Sequence, residues 1–263
     1  MSDITRANGP HAFGYTEITR HTGDMLMDFG VLRLRKGETF VEEQPLEKAY
    51  LLVYGEVRFD WDDQTHTEYR MNCFDVPPTA LHVSKATKVT ITCLSEDCEV
   101  NVLRTVNDRE FPAKLYLPAD TPDEFRGAGT MHETSTRIVR TIFDYTNAPY
   151  ANLVLGEVIG FPGKWSSYPP HHHPQPEVYF YRFDYPDGFG AGFANAEIYR
   201  TGHNGLSIIN HGFHSQVAAP GYALCYAWGI RHLDGDPWIK TRIDDPEHSW
   251  LWKEDANDHI FKG

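Results

Sequence analysis

The sequence is divided into many short strand-like runs, and this feature limits the fold more than any other. The runs are rich in β-branched and aromatic residues, and Gly, Pro or Asp interrupts them about every ten residues. Apolar residues do not recur with the spacing of an amphipathic helix. Short strands separated by regular turn signals predict an all-β sandwich or barrel. The runs are Asp28–Leu34, Ala49–Phe59, Lys88–Leu94, Glu99–Arg104, Arg137–Phe143, Asn152–Ile159, Glu177–Phe183, Gly205–Asn210 and Ala223–Ile230.

Two halves of the chain follow one plan. In each half a turn with Gly and charged residues leads to an aromatic-rich strand, and a further turn then leads into another β-run. Internal repetition at roughly 120 residues predicts a duplicated barrel. Proline and glycine cluster within residues 107–133, which is typical of a connection between lobes. We therefore predict an N-terminal lobe at residues 1–120 and a C-terminal lobe at residues 121–263.

A surplus of acidic residues excludes two classes of binding protein. The 263 residues carry a net charge of −13, whereas general binders of nucleic acid or of anionic membranes need surplus Lys and Arg. No apolar run reaches the roughly 18 residues of a membrane span. The four cysteines show no CxxC spacing and no secretory signal opens the chain, so we expect a cytoplasmic protein.

The residues that suggest chemistry are concentrated in one histidine-rich segment. His171 and His173 are two residues apart, so on a strand they point to one face while His172 points to the other. Glu177 opens the next strand, and a short turn could return its carboxylate to the two imidazoles. His214 follows in a later turn. Three imidazoles and one carboxylate suit a divalent first-row metal ion, although a histidine pair at this spacing is also common on protein surfaces.

The histidine-rich segment resembles the two metal-binding motifs of cupins, and distinctive segments continue along nearly the whole chain. These segments are Pro77-Pro-Thr-Ala-Leu-His-Val, Phe125-Arg-Gly-Ala-Gly, Trp165-Ser-Ser-Tyr-Pro-Pro-His, Tyr179-Phe-Tyr-Arg-Phe, Asp187-Gly-Phe-Gly, Gly212-Phe-His, Ala218-Ala-Pro-Gly-Tyr and Asp245-Pro-Glu-His-Ser-Trp. Together they resemble one cupin family, the 5-deoxyglucuronate isomerase family of myo-inositol catabolism. A sister family, the 5-keto-4-deoxyuronate isomerases, shares the same barrel plan and ligand types.

The resemblance implies two tandem cupin lobes, each a double-stranded β-helix, of which one holds metal. The implied ligands, all in the C-terminal lobe, are His171, His173, Glu177 and His214. The N-terminal lobe has no matching set, because His82 stands alone and is expected to be a core or edge histidine. The chain has His171-His-His-Pro where the family has His-Lys-His-Asp, and Asn210-His-Gly where Pro-x-Gly is usual. These departures border the pocket and leave the substrate open.

The resemblance also implies an aldose–ketose isomerisation of 5-deoxy-D-glucuronate to 5-dehydro-2-deoxy-D-gluconate, or of a related aldose with a terminal carboxylate or sulfonate. The metal would be Zn, Mn or Fe. Tyr179 and Tyr181 share a face with Glu177 and are candidate catalytic residues, although core packing would explain them equally well. The candidates for binding the acidic group of the substrate are Tyr168, Lys164 and Arg231.

Two other functions fit the same residues. Three histidines and a glutamate also suit iron in a cupin oxygenase, and a non-catalytic sugar-binding cupin would need the same fold. The expected partner is in each case a small acidic sugar, with no nucleic acid and no membrane. The oligomeric state stays open, with a homo-oligomer among the alternatives.

Overall fold

The computed structural model is built almost entirely of β-strands, as the sequence predicts. It describes residues 4–7 and 9–262, with side chains from residue 9 onward. Within these ranges the helices are short: three 3-10 turns at Pro118–Asp120, Met131–Glu133 and Ser249–Trp252, and one α-helical turn, α1, at Ala256–His259. None of them is long and apolar enough to cross a membrane.

The strands fall into two successive groups. The first ten are β1 (Ile4–Ala7), β2 (Gly14–Thr19), β3 (Asp28–Arg35), β4 (Thr39–Glu42), β5 (Glu47–Trp61), β6 (Gln64–Arg70), β7 (Ala80–Val83), β8 (Val89–Cys93), β9 (Asp97–Thr105) and β10 (Lys114–Tyr116). The next eleven are β11 (Glu124–Arg126), β12 (Arg137–Phe143), β13 (Leu153–Gly160), β14 (Trp165–His172), β15 (Glu177–Phe183), β16 (Phe189–Ala194), β17 (Glu197–Gly202), β18 (Leu206–Ile209), β19 (His214–Ala218), β20 (Leu224–Arg231) and β21 (Ile243–Asp244).

Strands β2 to β10 form the N-terminal lobe. The order β10-β7-β5-β9-β3-β2 makes one face, and the long β5 continues into a second layer, where it pairs with β6 and β8. Alternate residues of these strands point between the two layers and build an apolar core. That core includes Leu32, Tyr50, Phe59, Ile91 and Val102, all buried.

The C-terminal lobe is a sandwich of a seven-stranded and a five-stranded sheet. The larger sheet has the order β1-β18-β15-β20-β13-β12-β11, and the smaller has the order β17-β16-β19-β14-β21. Strand β1 thus pairs with the C-terminal lobe, although it opens the chain. Hydrogen bonding among the described strands runs in open sheets and does not close into a continuous barrel. The division at residue 120 stays a prediction.

The two lobes pack together through the outward faces of their large sheets. Phe29, Leu51 and Leu103 of the N-terminal lobe meet Leu155 and Phe180 of the C-terminal lobe in one buried apolar cluster. On β15, the residues of this cluster alternate with residues that point into the C-terminal lobe. This alternation directs one face of β15 toward the interior of the lobe, where the histidine-rich segment lies.

Candidate metal centre

The candidate ligands come from three neighbouring positions in the C-terminal lobe. His171 lies near the end of β14, His173 follows directly after that strand, and Glu177 begins β15. Because the turn between the two strands is short and contains two prolines, Glu177 returns toward the histidines. His214 begins β19 and pairs in register with His171. The sequence-predicted residues are thus brought to one place.

Three of the four predicted ligands converge on one point. The Nε2 atom of His173 lies 3.2 Å from Oε2 of Glu177, and Nε2 of His214 lies 3.4 Å from the same oxygen. One donor atom from each of these residues lies within 4.8 Å of the others, and all three residues are buried. This is the only such group of His, Cys, Asp or Glu in the part of the chain that the structure describes.

His171 lies beside this group but outside the three-donor set. Its ring centroid is 4.5 Å from that of His214 and 6.3 Å from that of His173. Its side chain is buried, and its Nδ1 atom is 3.2 Å from the backbone oxygen of Ser167. The role of His171 as a fourth ligand stays a prediction.

Backbone carbonyl groups orient the three histidine rings. Nδ1 of His173 is 2.9 Å from the backbone oxygen of Gln175, and Nδ1 of His214 is 3.4 Å from the backbone oxygen of Gly212. The Nδ1 atom of His171 makes the same kind of contact with Ser167. A carbonyl oxygen only accepts hydrogen bonds, so Nδ1 is the donor in each ring and Nε2 of the neutral ring carries a lone pair. Such contacts are the usual partners of histidines that bind metal.

The electrostatics of the group favour a cation at its centre. Burial alone would raise the pKa of Glu177, but its interactions with His173 and His214 lower the pKa to about 2, so it stays ionised. Burial, followed by the electrostatic effects of His214 and Arg242, lowers the pKa of His171 well below the ordinary value.

Nε2 of His214 is buried and has no hydrogen-bond partner among the described residues. Neutral imidazoles whose lone pairs face a carboxylate need a positive charge between them. The residues present therefore fit a divalent ion.

Tyr179 and Tyr181 both point into the C-terminal lobe, on the same face as Glu177. The hydroxyl of Tyr179 is 3.4 Å from Oγ of Ser167. Burial, followed by the negative charge of Glu177, raises the pKa of Tyr179 well above its ordinary value, so the phenol keeps its proton. Tyr181 contacts Ser207 Oγ at 2.9 Å and donates to Gln216 Oε1 at 2.8 Å. Of the two, Tyr179 is the one next to the candidate ligands.

The three residues predicted to bind the acidic end of a substrate have different partners. Arg231 donates from Nε to Thr105 Oγ1 of the N-terminal lobe at 3.2 Å, so it faces the boundary between the lobes. Lys164 donates to the backbone oxygen of Glu133. The ring of Tyr168 packs at a tilt against that of Trp165, with ring centroids 4.9 Å apart.

Sequence analysis did not single out several polar residues that line the same interior. Tyr226 lies with its hydroxyl 2.6 Å from Ser166 Oγ and 3.3 Å from Ser167 Oγ. Arg137 opens β12 and interacts electrostatically with the hydroxyls of Tyr226 and Tyr179. The serines stand in the Trp-Ser-Ser-Tyr-Pro-Pro-His segment that carries the family resemblance, which was the available signal for them.

The described residues of the N-terminal lobe bring together no group of three His, Cys, Asp or Glu donor atoms. His82 is fully buried, with Nε2 2.8 Å from Glu47 Oε1 and its ring stacked on Phe143 at 4.3 Å. It is therefore a core histidine at the boundary between the lobes, in agreement with the expectation from the sequence.

Known proteins similar to this chain were found by sequence and by structure. A protein of Bacillus subtilis (strain 168) named 5-deoxy-glucuronate isomerase is 26% identical over 260 residues, which cover 89% of this chain and 91% of that protein. Proteins of Geobacillus kaustophilus and Listeria monocytogenes with the same name also match.

Among solved structures, an IolB-like protein of Salmonella typhimurium LT2 superposes with a TM-score of 0.82 at 20% identity, covering 94% of this chain and 99% of that chain. A cupin 2 conserved barrel domain protein of Leptotrichia buccalis superposes with a TM-score of 0.54 at 11% identity, covering 86% of this chain and 96% of that chain. These likenesses show a cupin fold. The model of the KduI/IolB family matches residues 5–251, and the chain therefore belongs to that family.

Proposed function

We propose that this protein is a metal-dependent aldose–ketose isomerase that converts 5-deoxy-D-glucuronate to 5-dehydro-2-deoxy-D-gluconate. The observation that carries the proposal is the buried convergence of His173, Glu177 and His214, with donor atoms within 4.8 Å of one another, in a chain of the KduI/IolB family. Relatives that this chain matches over most of their length are named for that isomerase, and the chain is accordingly an enzyme of the isomerase class.

The candidate ligands are His171, His173, Glu177 and His214. A divalent ion bound there, Zn, Mn or Fe, would supply positive charge where negative charge develops on the carbonyl and hydroxyl oxygens of the substrate. Glu177 is ionised and directed at the histidines, so we do not assign it as the base that moves the proton between carbons.

Tyr179 is the residue best placed to exchange a proton with a substrate oxygen. Its hydroxyl lies beside Ser167 and Glu177 in a buried interior, and its raised pKa keeps it protonated at neutral pH. A protonated phenol can donate a hydrogen bond to an oxygen that becomes negative during the reaction. This supports Tyr179 as an acid that assists isomerisation.

The departures from the family sequence next to His171 and His214 bear on the substrate. They leave the fold and the candidate ligands unchanged, but they alter the border of the pocket. An acidic aldose with a different chain, or with a sulfonate in place of the carboxylate, is the closest alternative substrate. A cytoplasmic location remains part of the proposal, and a homo-oligomer remains one alternative for the oligomeric state.

The test is direct conversion followed by NMR. Protein stripped of metal and reloaded with Zn²⁺, Mn²⁺ or Fe²⁺ is incubated with 5-deoxy-D-glucuronate and with a panel of acidic aldoses. We expect ketose signals to appear with 5-deoxy-D-glucuronate, and no conversion by the metal-free protein. If the protein converts a different acidic aldose but not 5-deoxy-D-glucuronate, that aldose becomes the proposed substrate. If it converts no aldose, the isomerase proposal is overturned.

A further inference from the structure

Arg137 occupies an unusual position for a charged residue. It is the first residue of β12 and shares a face with Val139, which packs against the apolar core of the C-terminal lobe. The next residue on that strand, Ile138, packs instead near Cys73 and Ile159 on the outer side. Because alternate strand residues point to opposite faces, the guanidinium of Arg137 lies on the inner side of the lobe.

No carboxylate of residues 9–262 forms an ion pair with this guanidinium. Its Nη1 donates to the backbone oxygen of Ser135 at 2.8 Å and to Ser135 Oγ at 3.2 Å, and both acceptors are uncharged. Across residues 9–262, Arg137 is the one arginine that is not exposed and that forms no ion pair with a carboxylate. A half-buried charge without a counter-ion is costly unless a ligand brings the opposite charge.

The surroundings of Arg137 are positive. Burial lowers the pKa of its guanidinium, and the charges of Arg242 and Arg126 lower it further, against an opposing effect of the Tyr226 hydroxyl. Arg242 and Arg126 are themselves paired with Asp244 and Glu124. Of these three arginines, Arg137 is therefore the one without a carboxylate partner among the described residues.

A row of hydroxyl groups leads from Tyr226 to the candidate metal ligands. The hydroxyl of Tyr226 contacts Ser166 and Ser167, and Ser167 Oγ contacts Tyr179 at 3.4 Å. The backbone oxygen of Ser167 in turn holds the ring of His171. The polar wall thus has ligand donors at one end and hydroxyl groups along its length, and Arg137, on the inner face of β12, interacts electrostatically with the Tyr226 hydroxyl at the other end. A short sugar chain with an aldehyde at one end and a carboxylate at the other has the same order of groups.

We propose that Arg137 binds the carboxylate of the substrate and selects acidic over neutral aldoses, an inference that rests on the proposed isomerase function. We propose Arg137 for this role in place of Arg231 and Lys164. The side chain of Arg231 is directed to the N-terminal lobe, and that of Lys164 is directed to the Glu133 backbone. Arginine suits this task because its planar fork donates two parallel hydrogen bonds to a carboxylate.

The test compares two substrates that differ only at the far end. 5-Deoxy-D-glucuronate carries the carboxylate, and 5-deoxy-D-glucose carries a hydroxymethyl group in its place. In the variant Arg137→Met we expect kcat/KM for the acid to fall about 10- to 100-fold, the usual effect of losing a hydrogen bond to a charged group. For the neutral sugar we expect less than about a threefold change. Arg137→Lys keeps the positive charge but not the planar fork of donors. Its kcat/KM for the acid should therefore lie between the values of the wild type and of Arg137→Met.

Arg126→Met is the matched control, because Arg126 pairs with Arg137 across β11 and β12 but is exposed and bound to Glu124. It should leave the preference for the acid unchanged. Metal content and thermal melting of each variant show whether the site and the fold are intact. Equal losses on both substrates in folded, metal-loaded Arg137→Met and Arg137→Lys would overturn the inference.

A binding measurement separates this inference from the proposed function. If the wild-type protein converts neither sugar, the isomerase proposal fails, and calorimetric titration with D-glucuronate then tests Arg137 alone. Binding by the wild type that is lost in Arg137→Met and kept in Arg126→Met would support Arg137 as an acidic-sugar site. Absence of wild-type binding, or equal binding by all three proteins, would overturn it.

Discussion

Arg70 of the N-terminal lobe and Glu157 of the C-terminal lobe form a buried ion pair in which two guanidinium nitrogens each donate to a different carboxylate oxygen at 2.7 Å. Both side chains are almost fully inaccessible. Arg70 also donates to the backbone oxygens of Leu52 and Val76, so its remaining donors are satisfied within the N-terminal lobe. The pair links the outer face of β13 to the first lobe, behind the sheet that carries the candidate metal centre.

Removal of one partner of this pair should destabilise the protein strongly. Arg70→Met leaves the Glu157 carboxylate buried without its main counter-charge, and we expect a loss of about 3–5 kcal/mol in the free energy of unfolding. Arg58→Met is the control, since Arg58 pairs with Asp60 on the surface and such pairs contribute about 0–1 kcal/mol. Urea unfolding measures both variants. Equal losses would mean that the buried pair contributes no more than a surface pair.

Substitution of the convergent ligands should remove metal and activity together. We expect His173→Ala and Glu177→Gln to bind little metal, because each removes a donor atom from a buried group of three. His172→Ala is the control, since this neighbouring ring packs edge-on against Phe213 outside the donor group. Mass spectrometry measures the metal content of each variant, and circular dichroism measures whether its fold is intact. Full metal occupancy in His173→Ala would remove that residue from the ligand set.

Tyr179 and Tyr181 allow a comparison within one strand face. We expect Tyr179→Phe to lower kcat about 10- to 100-fold with metal content unchanged, because a proton donor next to the ligands is lost. Tyr181→Phe should instead lower stability by about 1–2 kcal/mol, because it leaves Gln216 without its donor in the core. Steady-state kinetics and urea unfolding separate the two effects. A larger loss of kcat in Tyr181→Phe would reverse this assignment.

The sequence predicts the all-β fold, and it predicts which of the candidate site residues share a strand face, because both depend on local periodicity. Glu177, Tyr179 and Tyr181 share a face, as strand alternation requires, and the His-x-His spacing places His173 beside Glu177. The role of Arg137 could not be read in the same way. Its strand carries arginine on both faces, at Arg137 and Arg140, and alternation alone does not say which face is internal.

Arg140 points outward and pairs with Asp123, while Arg137 points inward. That difference depends on how β12 packs against the rest of the lobe, a non-local property. The same limit applies to Arg231, a residue that the sequence offers as a candidate for binding the acidic group and that faces Thr105 of the other lobe. Long-range packing thus determines which charged residues meet a substrate.

Acid should destabilise the protein partly through His203. Burial, followed by the charge of Arg182, lowers the pKa of His203 from 6.5 to about 4 in the folded state. Between these values the unfolded chain binds a proton that the folded chain does not, so the free energy of unfolding falls as the pH drops from about 6.5 to about 4. Because the residue is only partly buried, we expect a contribution on the order of 1 kcal/mol.

The check is urea unfolding of metal-free protein at several pH values across this window. His203→Gln should lose stability less steeply with falling pH than the wild type. His259→Gln, which alters an exposed histidine in α1, should follow the wild-type slope. Parallel curves for all three proteins would show that His203 does not contribute to the acid sensitivity.

The final prediction concerns oxygen, which separates an isomerase from an oxygenase on the same fold. Isomerisation moves a proton and a pair of electrons within one molecule, so it needs no oxidant, and redox-inert Zn²⁺ as well as Mn²⁺ should support some turnover without oxygen. An oxygenase requires a metal that exchanges electrons. We expect anaerobic conversion of an acidic aldose, with deuterium from D₂O at the carbon next to the carbonyl in part of the product. Missing label would indicate a base shielded from solvent or a hydride shift and would leave isomerisation standing. Strict dependence on oxygen, with inactive Zn²⁺- and Mn²⁺-loaded protein, would contradict the isomerase proposal.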